Sequence, residues 1–240
     1  MTRNVCIVHY NTPELTEAAI LSLRKHGGAD YKVFIFDNSD TRPWKKRMKG
    51  VKTFDNTKGK YINFDEELAK YPEKDEFVGC SHGCWFGSDK HMMSVQKLWE
   101  LVPEGFLLID SDILFKRDVD FMFMEDECSV GHICYCGGPH RIKRLAPMLL
   151  YINVPMCVAG GARFFDPERS WALHDGQHNK MNCWDTGAAF FHDICRLKPQ
   201  CHGKRVDIRP LIEHLGSGSW FRSDLEKQKQ WLNSHADLWK

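Results

Sequence analysis

The sequence predicts an α/β fold, a single Rossmann-like domain with a mostly parallel central sheet and helices on both faces. Three observations lead to this class. A strand, a helix and a second strand follow one another at the start of the chain, the alternation returns near residue 100, and polar residues stand where the predicted strands end. Such alternation is typical of parallel sheets, because parallel strands need a long crossover connection.

The first unit takes up about the first 40 residues. Val5 to Tyr10 is rich in β-branched and apolar residues, which favours a strand. Thr12 and Pro13 suit the cap and the first turn of a helix, which the glycines at 27–28 would end. Residues 31–40 (YKVFIFDNSD) then predict a second strand with a polar end.

The alternation returns in the middle of the chain. Residues 79–88 (GCSHGCWFGS) predict a loop, Asp89 to Leu101 a helix, and residues 104–112 (EGFLLIDSD) another strand. Ligands of open α/β sheets bind at the carboxyl ends of the strands. We therefore expect one crevice to gather the polar strand ends, which are Tyr10, Asn11, Asp37, Asn38, Asp110, Ser111 and Asp112.

The bulk composition excludes some functions. Lys and Arg number 33 against 32 Asp and Glu, a net charge of +1, whereas a dedicated nucleic-acid binder is usually far more basic. No apolar run has the length of a membrane span, and the first residues lack a signal-peptide pattern. We therefore expect a cytoplasmic protein, at most peripheral on the inner face of a membrane, whose ten cysteines are reduced thiols.

One basic run stands out, at residues 42–52 (RPWKKRMKGVK). Such a run is usually a solvated face. It would also suit anionic lipid headgroups or a polyanionic acceptor.

Two carboxylates end the most strand-like segment, FLLIDSD. Burying them costs on the order of several kcal/mol unless something pairs with them. Residues i and i+2 of a strand share a face, so Asp110 and Asp112 can both face one cation. Oxygen ligands suit Mg²⁺ or Mn²⁺, which typically bridge carboxylates to substrate phosphates. A helix cap or a surface turn is the alternative, and the position after a buried strand favours the metal.

At this point the sequence resembles GT-A-fold glycosyltransferases of the large family-two type. The motifs that carry the resemblance appear in the expected order and cover most of the chain: VHYNT at 8–12, FDNSD at 36–40, DSD at 110–112, AGG at 159–161, WDT at 184–186 and EH at 213–214. The resemblance implies a metal-dependent, inverting enzyme. Its donor would be a UDP-sugar or GDP-sugar, and its acceptor a hydroxyl of a glycan or lipid-linked molecule in surface polysaccharide or glycoconjugate synthesis.

The resemblance also implies a donor-binding set. Asp37 would contact the base or ribose, and Ser88 would lie near the donor at the start of a helix that also carries His91, although a serine there also suits an N-cap. Gly160 and Gly161 would let the backbone approach the donor sugar. The other nucleotide-binding residues would be Tyr10, Asn11, Asp110 and Ser111.

The same resemblance implies the metal ligands. Asp112 would bind the ion directly, Asp110 would lie near the ribose or a metal-bound water, and His214 would be the third protein ligand. An imidazole beside carboxylates favours Mn²⁺ over Mg²⁺. A core histidine is the alternative, but the segment LGSGSW that follows His214, with Ser217 and Ser219, offers backbone N–H groups to a diphosphate.

Asp185 matches the acidic motif whose aspartate is the base of inverting members. A carboxylate with an ordinary pKa of about 3.9 is ionised at pH 7 and can accept a proton. The motif is often a Glu-Asp pair, whereas Trp184 precedes the aspartate here and would offer an apolar platform to a sugar ring. Asp166, Asp175 and Glu213 are rival carboxylates, and a helix cap is the alternative role for Asp185.

The domain is expected to span 1–240, because no repeat or low-complexity linker divides it. Residues up to about 120 would bind the nucleotide-sugar, and those from about 121 would bind the acceptor and end in a closing helix at 224–240.

Two other enzyme classes fit less well. A nucleotidyltransferase would carry a Gly-rich, basic signature where this chain has HYNTPELT (9–16), and an NAD-dependent oxidoreductase would carry G-x-G-x-x-G. A non-catalytic glycan- or nucleotide-binding protein with a decayed site is the alternative outside the enzymes, and hydrolysis of nucleotide sugars would separate the two.

Overall fold

The secondary structure is taken from a computed structural model that describes residues 2–70, 84–135, 143–165, 186–196, 203–216 and 224–240. Its strands are β1 (Thr2–His9), β2 (Asp30–Asp37), β3 (Val51–Asp55), β4 (Phe106–Ile109), β5 (Ile113–Phe115), β6 (Ser129–Tyr135), β7 (Lys143–Ile152), β8 (Gly203–Arg205) and β9 (Ile212–His214). Its helices are α1 (Pro13–His26), α2 (Phe64–Ala69), α3 (Cys84–Leu101), α4 (Val154–Ala159), α5 (Ala188–Arg196), α6 (Leu225–Ser234) and α7 (Ala236–Trp239), and a short 3₁₀ turn covers Asp120–Met122.

Among the described residues, seven strands form the central sheet, in the order β3-β2-β1-β4-β7-β6-β8. The first four run parallel, β7 is antiparallel to both of its neighbours, and β8 is parallel to β6. The remaining strands, β5 and β9, pair antiparallel beside it. The predicted α/β class with a mostly parallel sheet is confirmed.

Both faces of the sheet are buried, which explains the nearly unbroken apolar strands. In β2, Phe34 and Phe36 belong to a core cluster on one face, and Val33 and Ile35 to the cluster on the other. Helix α3 covers the first face with Met92, Val95, Leu98 and Trp99, and α1 covers the second with Ile20 and Leu23. The helices therefore lie on both faces, as predicted.

The start of α3, the C-terminal helix and the cap of α1 differ from the predictions. Helix α3 begins at Cys84 and not at Asp89, so the end of the predicted loop is helical. The C-terminal segment forms α6 and α7 in place of one helix, and both pack on α1 through an apolar cluster. Thr12 does precede α1, but its hydroxyl makes no capping hydrogen bond and contacts Ser111 Oγ at 3.0 Å.

The cysteines are not all reduced thiols. In the described part, Cys6, Cys134, Cys157 and Cys195 are free, but Cys128 is disulfide-bonded, and its partner lies outside the residues whose side chains are described. The expectation is therefore wrong for Cys128. Disulfides are typical of oxidising compartments, so the cytoplasmic location stays a prediction. No described helix is both long enough and apolar enough to cross a membrane.

Candidate active site

Three predicted metal ligands meet at the carboxyl end of the parallel strands. Asp110 directly follows β4, Asp112 directly precedes β5, and His214 ends β9. Their potential ligand atoms all lie within 4.8 Å of one another, and His214 Nε2 is 3.3 Å from Asp112 Oδ1. The structure therefore gathers two carboxylates and an imidazole, which is a donor set that suits Mn²⁺ or Mg²⁺.

The pairing of β5 with β9 holds this cluster together. Ile113 lies opposite His214 in the antiparallel register. The Leu215 N–H donates a hydrogen bond of 3.0 Å to the Asp112 carbonyl, which fixes the backbone on both sides of the pair. A short strand thus carries the histidine to an aspartate that is far away along the chain.

The cluster is partly removed from water, which strengthens its electrostatics. Asp112 is buried, with 6% of its surface exposed, and Asp110 and His214 are half-buried. Burial by itself would lower the pKa of His214, but the hydrogen bond and charge of Asp112, aided by the charge of Asp110, raise that pKa above 6.5. Carboxylates that favour a proton on His214 also favour a divalent cation in its place.

A second imidazole lies beside the cluster. His91 of α3 places its Nε2 3.8 Å from Asp110 Oδ1, on the side of α3. The same helix is joined to the end of β2, where the Asn38 side-chain amide donates to Ser94 Oγ at 2.8 Å. His91 was not among the site residues predicted from the sequence, and the only signal for it was its place early in the helix that resembles a donor-binding segment.

Tyr10 and Asn11 organise a loop next to the cluster. Asn11 has a left-handed backbone (φ 57°), and its Oδ1 accepts N–H bonds from Thr41 (3.0 Å) and Arg42 (2.8 Å). The Asn11 amide and the Tyr10 hydroxyl donate to the two oxygens of Asp40, at 2.5 and 2.6 Å. Both side chains therefore have partners within the protein, and their contact with a nucleotide stays a prediction.

Among the predicted site carboxylates that the structure describes, Asp37 is the most buried, with 1% of its surface exposed. Its Oδ1 accepts the Ser39 N–H at 3.0 Å and its Oδ2 accepts the Trp44 N–H at 2.7 Å. These bonds give Asp37 a structural role in the turn after β2. Its predicted contact with the base or ribose is not visible in the geometry and stays a prediction, as does nucleotide binding by Ser111.

The glycine pair at 160–161 ends helix α4. The Gly161 N–H donates to the Val158 carbonyl (3.0 Å) and the Ala162 N–H to the Cys157 carbonyl (2.8 Å), which is the Schellman pattern. Gly161 has φ of 74°, a left-handed conformation in which glycine has no steric penalty. Helix termination thus explains Gly161 without a donor sugar, and the proximity of either glycine to the donor stays a prediction.

Several predicted residues fall outside what the structure describes. Asp185, Trp184, Ser217, Ser219 and the rival carboxylates Asp166 and Asp175 lie outside the described residues, and Ser88 lies in α3 without a described side chain. The third rival, Glu213, forms an ion pair of 2.9 Å with Lys116.

The residues that follow Asp185 are firmly placed. Thr186 is buried, and the next residue, Gly187, accepts the Leu145 N–H through its carbonyl at 3.3 Å. A Cβ at Gly187 would lie 2.2 Å from the Leu145 carbonyl oxygen, so only glycine fits this approach to β7. The backbone directly after the WDT motif is therefore held against β7.

Comparison with known proteins reveals the fold but no close relative. No family model and no curated protein matches the sequence. Mouse xyloside xylosyltransferase 1, in its apo form, is similar in structure with a TM-score of 0.50 and 10% identity over 87% of this chain and 86% of that one. GlyE, a glycosyltransferase of Streptococcus pneumoniae TIGR4, gives a TM-score of 0.43 and 11% identity over 87% of this chain, which spans 46% of the GlyE chain.

These findings show the fold: the chain has the GT-A-type fold seen in glycosyltransferase structures. Its Asp–Asp–His cluster lies at the carboxyl end of the sheet, where ligands of open α/β sheets bind.

Proposed function

We propose that this protein is a metal-dependent, inverting glycosyltransferase that moves a sugar from a nucleotide-diphosphate donor to a hydroxyl acceptor. The observation that carries the proposal is the Asp110, Asp112 and His214 cluster at the carboxyl end of a GT-A-type sheet. The glycosyltransferase fold of the similar structures supports the reaction class.

Asp112 and His214 are the direct ligands in this proposal, and Asp110 completes the set on the side of His91. A divalent ion bound there, Mn²⁺ in preference to Mg²⁺, supplies positive charge that stabilises the departing diphosphate. The chain turns directly after the cluster, where Gly216 has φ of 68°. We assign the serines that follow, Ser217 and Ser219, to the diphosphate through the backbone N–H groups of their loop.

The base is Asp185 in this proposal. Its carboxylate removes the proton from the acceptor hydroxyl as that oxygen bonds to the anomeric carbon and the bond to the diphosphate oxygen breaks. Trp184 forms the apolar platform for a sugar ring. Support comes from Thr186 and Gly187, which anchor the adjoining chain on β7.

The two parts of the chain bind different substrates in this proposal. Residues up to about 120 bind a UDP-sugar or GDP-sugar, and residues from about 121 bind a glycan or lipid-linked acceptor. The setting proposed is surface polysaccharide or glycoconjugate synthesis in the cytoplasm.

A thermal-shift screen of nucleoside diphosphates and their sugars, with and without Mn²⁺, tests donor binding. A ligand present at about a hundred times its dissociation constant adds about 2.7 kcal/mol of apparent stability. Hydrolysis of nucleotide sugars then separates an enzyme from a binding protein, because a decayed site binds without turnover.

The base assignment has its own test in Asp185→Asn. Asparagine keeps the size of the side chain but cannot take a proton at pH 7, so kcat should fall by a factor on the order of 10² to 10⁴. Donor affinity should stay unchanged, and the rate of sugar transfer is the measurement. A helix-capping aspartate would tolerate the change. A product of retained anomeric configuration, seen by NMR, would overturn the inverting mechanism.

A further inference from the structure

The edge strand β3 and its flanks concentrate positive charge. Residues 42–60 contain eight Lys or Arg and one acidic residue, Asp55. Strand β3 forms one edge of the central sheet. The residues before it run back along β2, because the Trp44 N–H bonds to Asp37 at one end of that strand and the Gly50 carbonyl accepts the Val33 N–H near the other. The basic segment therefore lines the whole edge.

Two of these charges are neutralised by α1. Arg42 lies 2.6 Å from Glu14, and Lys46 forms an ion pair with Glu17. These pairs fasten the start of the segment to the helix, so Arg42 and Lys46 have a structural function.

The other six basic side chains point to solvent. All six are exposed, and none lies within 4.0 Å of a carboxylate in the described part of the chain: Lys45, Arg47, Lys49, Lys52, Lys58 and Lys60. We call these six residues the basic edge. Their like charges repel one another, which a partner of opposite charge would relieve.

The basic edge offers charge without exposed rings. Lys52 lies over the Phe54 ring and Lys60 over the Tyr61 ring, at 4.9 and 5.4 Å from the centroids. Phe54 and the neighbouring Trp44 are buried. Base stacking on aromatic rings, on which binding of single-stranded nucleic acid depends, therefore has only the half-buried Tyr61 ring there, which favours a partner bound by charge. A straight strand edge with separate cations suits a flat array of anions.

We propose that the basic edge docks the protein on a membrane surface rich in anionic lipid headgroups. Each basic side chain close to such a surface strengthens binding about fivefold. The surface does not depend on the proposed reaction, because β2 and β1 stand between β3 and the strand that carries the metal cluster.

Co-sedimentation with lipid vesicles, in the absence of any nucleotide sugar, tests the proposal. The wild-type chain should bind vesicles of phosphatidylcholine mixed with phosphatidylglycerol at about 0.1 M ionic strength and release them at about 1 M, where the screening length shrinks from about 10 Å to about 3 Å. The triple variant Lys45→Glu, Arg47→Glu, Lys49→Glu should bind these vesicles at least about a hundredfold more weakly than the wild type.

The other half of the same sheet, at β7 and the edge strand β8, supplies a matched control. Lys143 of β7 and Lys204 and Arg205 of β8 are exposed, so their triple change to Glu alters the net charge equally. This control should retain vesicle binding. Circular dichroism melting of both variants shows whether each is folded.

Equal loss of binding in both triple variants would overturn the proposal, since net charge would then explain it. Wild-type binding to pure phosphatidylcholine, or no binding to either vesicle, would also overturn it. Stronger retention of single-stranded RNA than of vesicles, lost with the same triple change, would assign the surface to a different partner.

Discussion

Asp112 and Asp37 are both buried aspartates at strand ends, and the structure treats them differently. Asp37 accepts two backbone N–H groups from the turn that follows it. Asp112 instead faces the imidazole of His214, with Asp110 beside it. The backbone donors stabilise the Asp37 carboxylate permanently. The charge of Asp112 is instead balanced by the His214 imidazole, which can exchange its proton for a metal ion.

The comparison teaches that burial alone does not identify a site carboxylate. An aspartate with two backbone donors shapes a turn, much as asparagine and aspartate do in many loops. Carboxylates gathered around an imidazole repel one another unless a cation is present, so such a cluster indicates ligand binding. Like Asp37, the Asn11 side chain shapes a loop, because its Oδ1 accepts the backbone N–H groups of Thr41 and Arg42.

The largest expected effect on metal binding is that of Asp112→Ala. Loss of a direct ligand should weaken Mn²⁺ affinity by more than about a hundredfold, beyond the 10- to 100-fold typical of residues that only orient a ligand. Metal-dependent binding of UDP or GDP should disappear with it. Calorimetric titration with Mn²⁺, then with each nucleotide, gives both values, and undiminished affinity would remove Asp112 from the site.

The matched change at Asp37 should act on stability alone. In Asp37→Asn one oxygen still accepts a hydrogen bond, but the amide places a donor against a backbone N–H, at a cost of about 1–3 kcal/mol. Chemical denaturation should reveal this loss while Mn²⁺ affinity stays the same. If Asp37→Asn keeps its stability and loses nucleotide affinity, the distinction drawn between the two aspartates is wrong.

His214→Ala should weaken Mn²⁺ binding without unfolding the chain, since His214 is half-buried at the end of a short strand. We expect a loss of at least about tenfold in affinity. A core histidine would behave in the opposite way, with a lower melting temperature and unchanged metal affinity. Melting of the apo variant and titration with Mn²⁺ separate the two.

The pH dependence should follow the raised pKa of His214. A raised pKa in the folded state means that protonated His214 stabilises the metal-free fold below its ordinary value of 6.5, and that this contribution is lost as the pH rises through the higher folded value. Metal must displace the same proton, so Mn²⁺ affinity should increase with pH over that range, by at most about tenfold per pH unit. Mn²⁺ titrations of His214→Ala at several pH values across this range should show that its affinity depends much less on pH.

The smallest expected effect is that of His91→Gln. His91 lies 3.8 Å from Asp110 and acts by positioning that carboxylate, so Mn²⁺ affinity should fall by about tenfold or less. The change should spare the melting temperature. His132 lies in β6, two strands from β4, with its Nδ1 3.3 Å from the Val206 carbonyl, and it offers the control His132→Gln. Equal effects from both variants would argue against a positioning role.

The sequence by itself determined the local features of this protein. Hydrophobic periodicity and polarity indicate burial within a short segment, so three local features could be predicted. These are a β-branched first strand, a helix that starts at Pro13 and an Asp-x-Asp after four buried residues. The motifs in order predicted the GT-A-type fold that the structure has. The start of α3 at Cys84 and the disulfide at Cys128 could not be predicted from the sequence, since neither hydrophobic periodicity nor cysteine spacing indicates them.

Only the tertiary structure decided which polar residues share a site. The sequence pointed to His214 through the resemblance and the Gly/Ser segment that follows it, and the antiparallel register of Ile113 with His214 is what brings that imidazole to Asp112. It likewise gave Asp37 and Asp112 the same predicted surroundings at strand ends. In the structure, the backbone N–H groups of Ser39 and Trp44 bond to Asp37, whereas Asp112 faces the imidazole of His214. The difference arises because hydrogen bonding inside a fold depends on which donors the completed chain brings within reach.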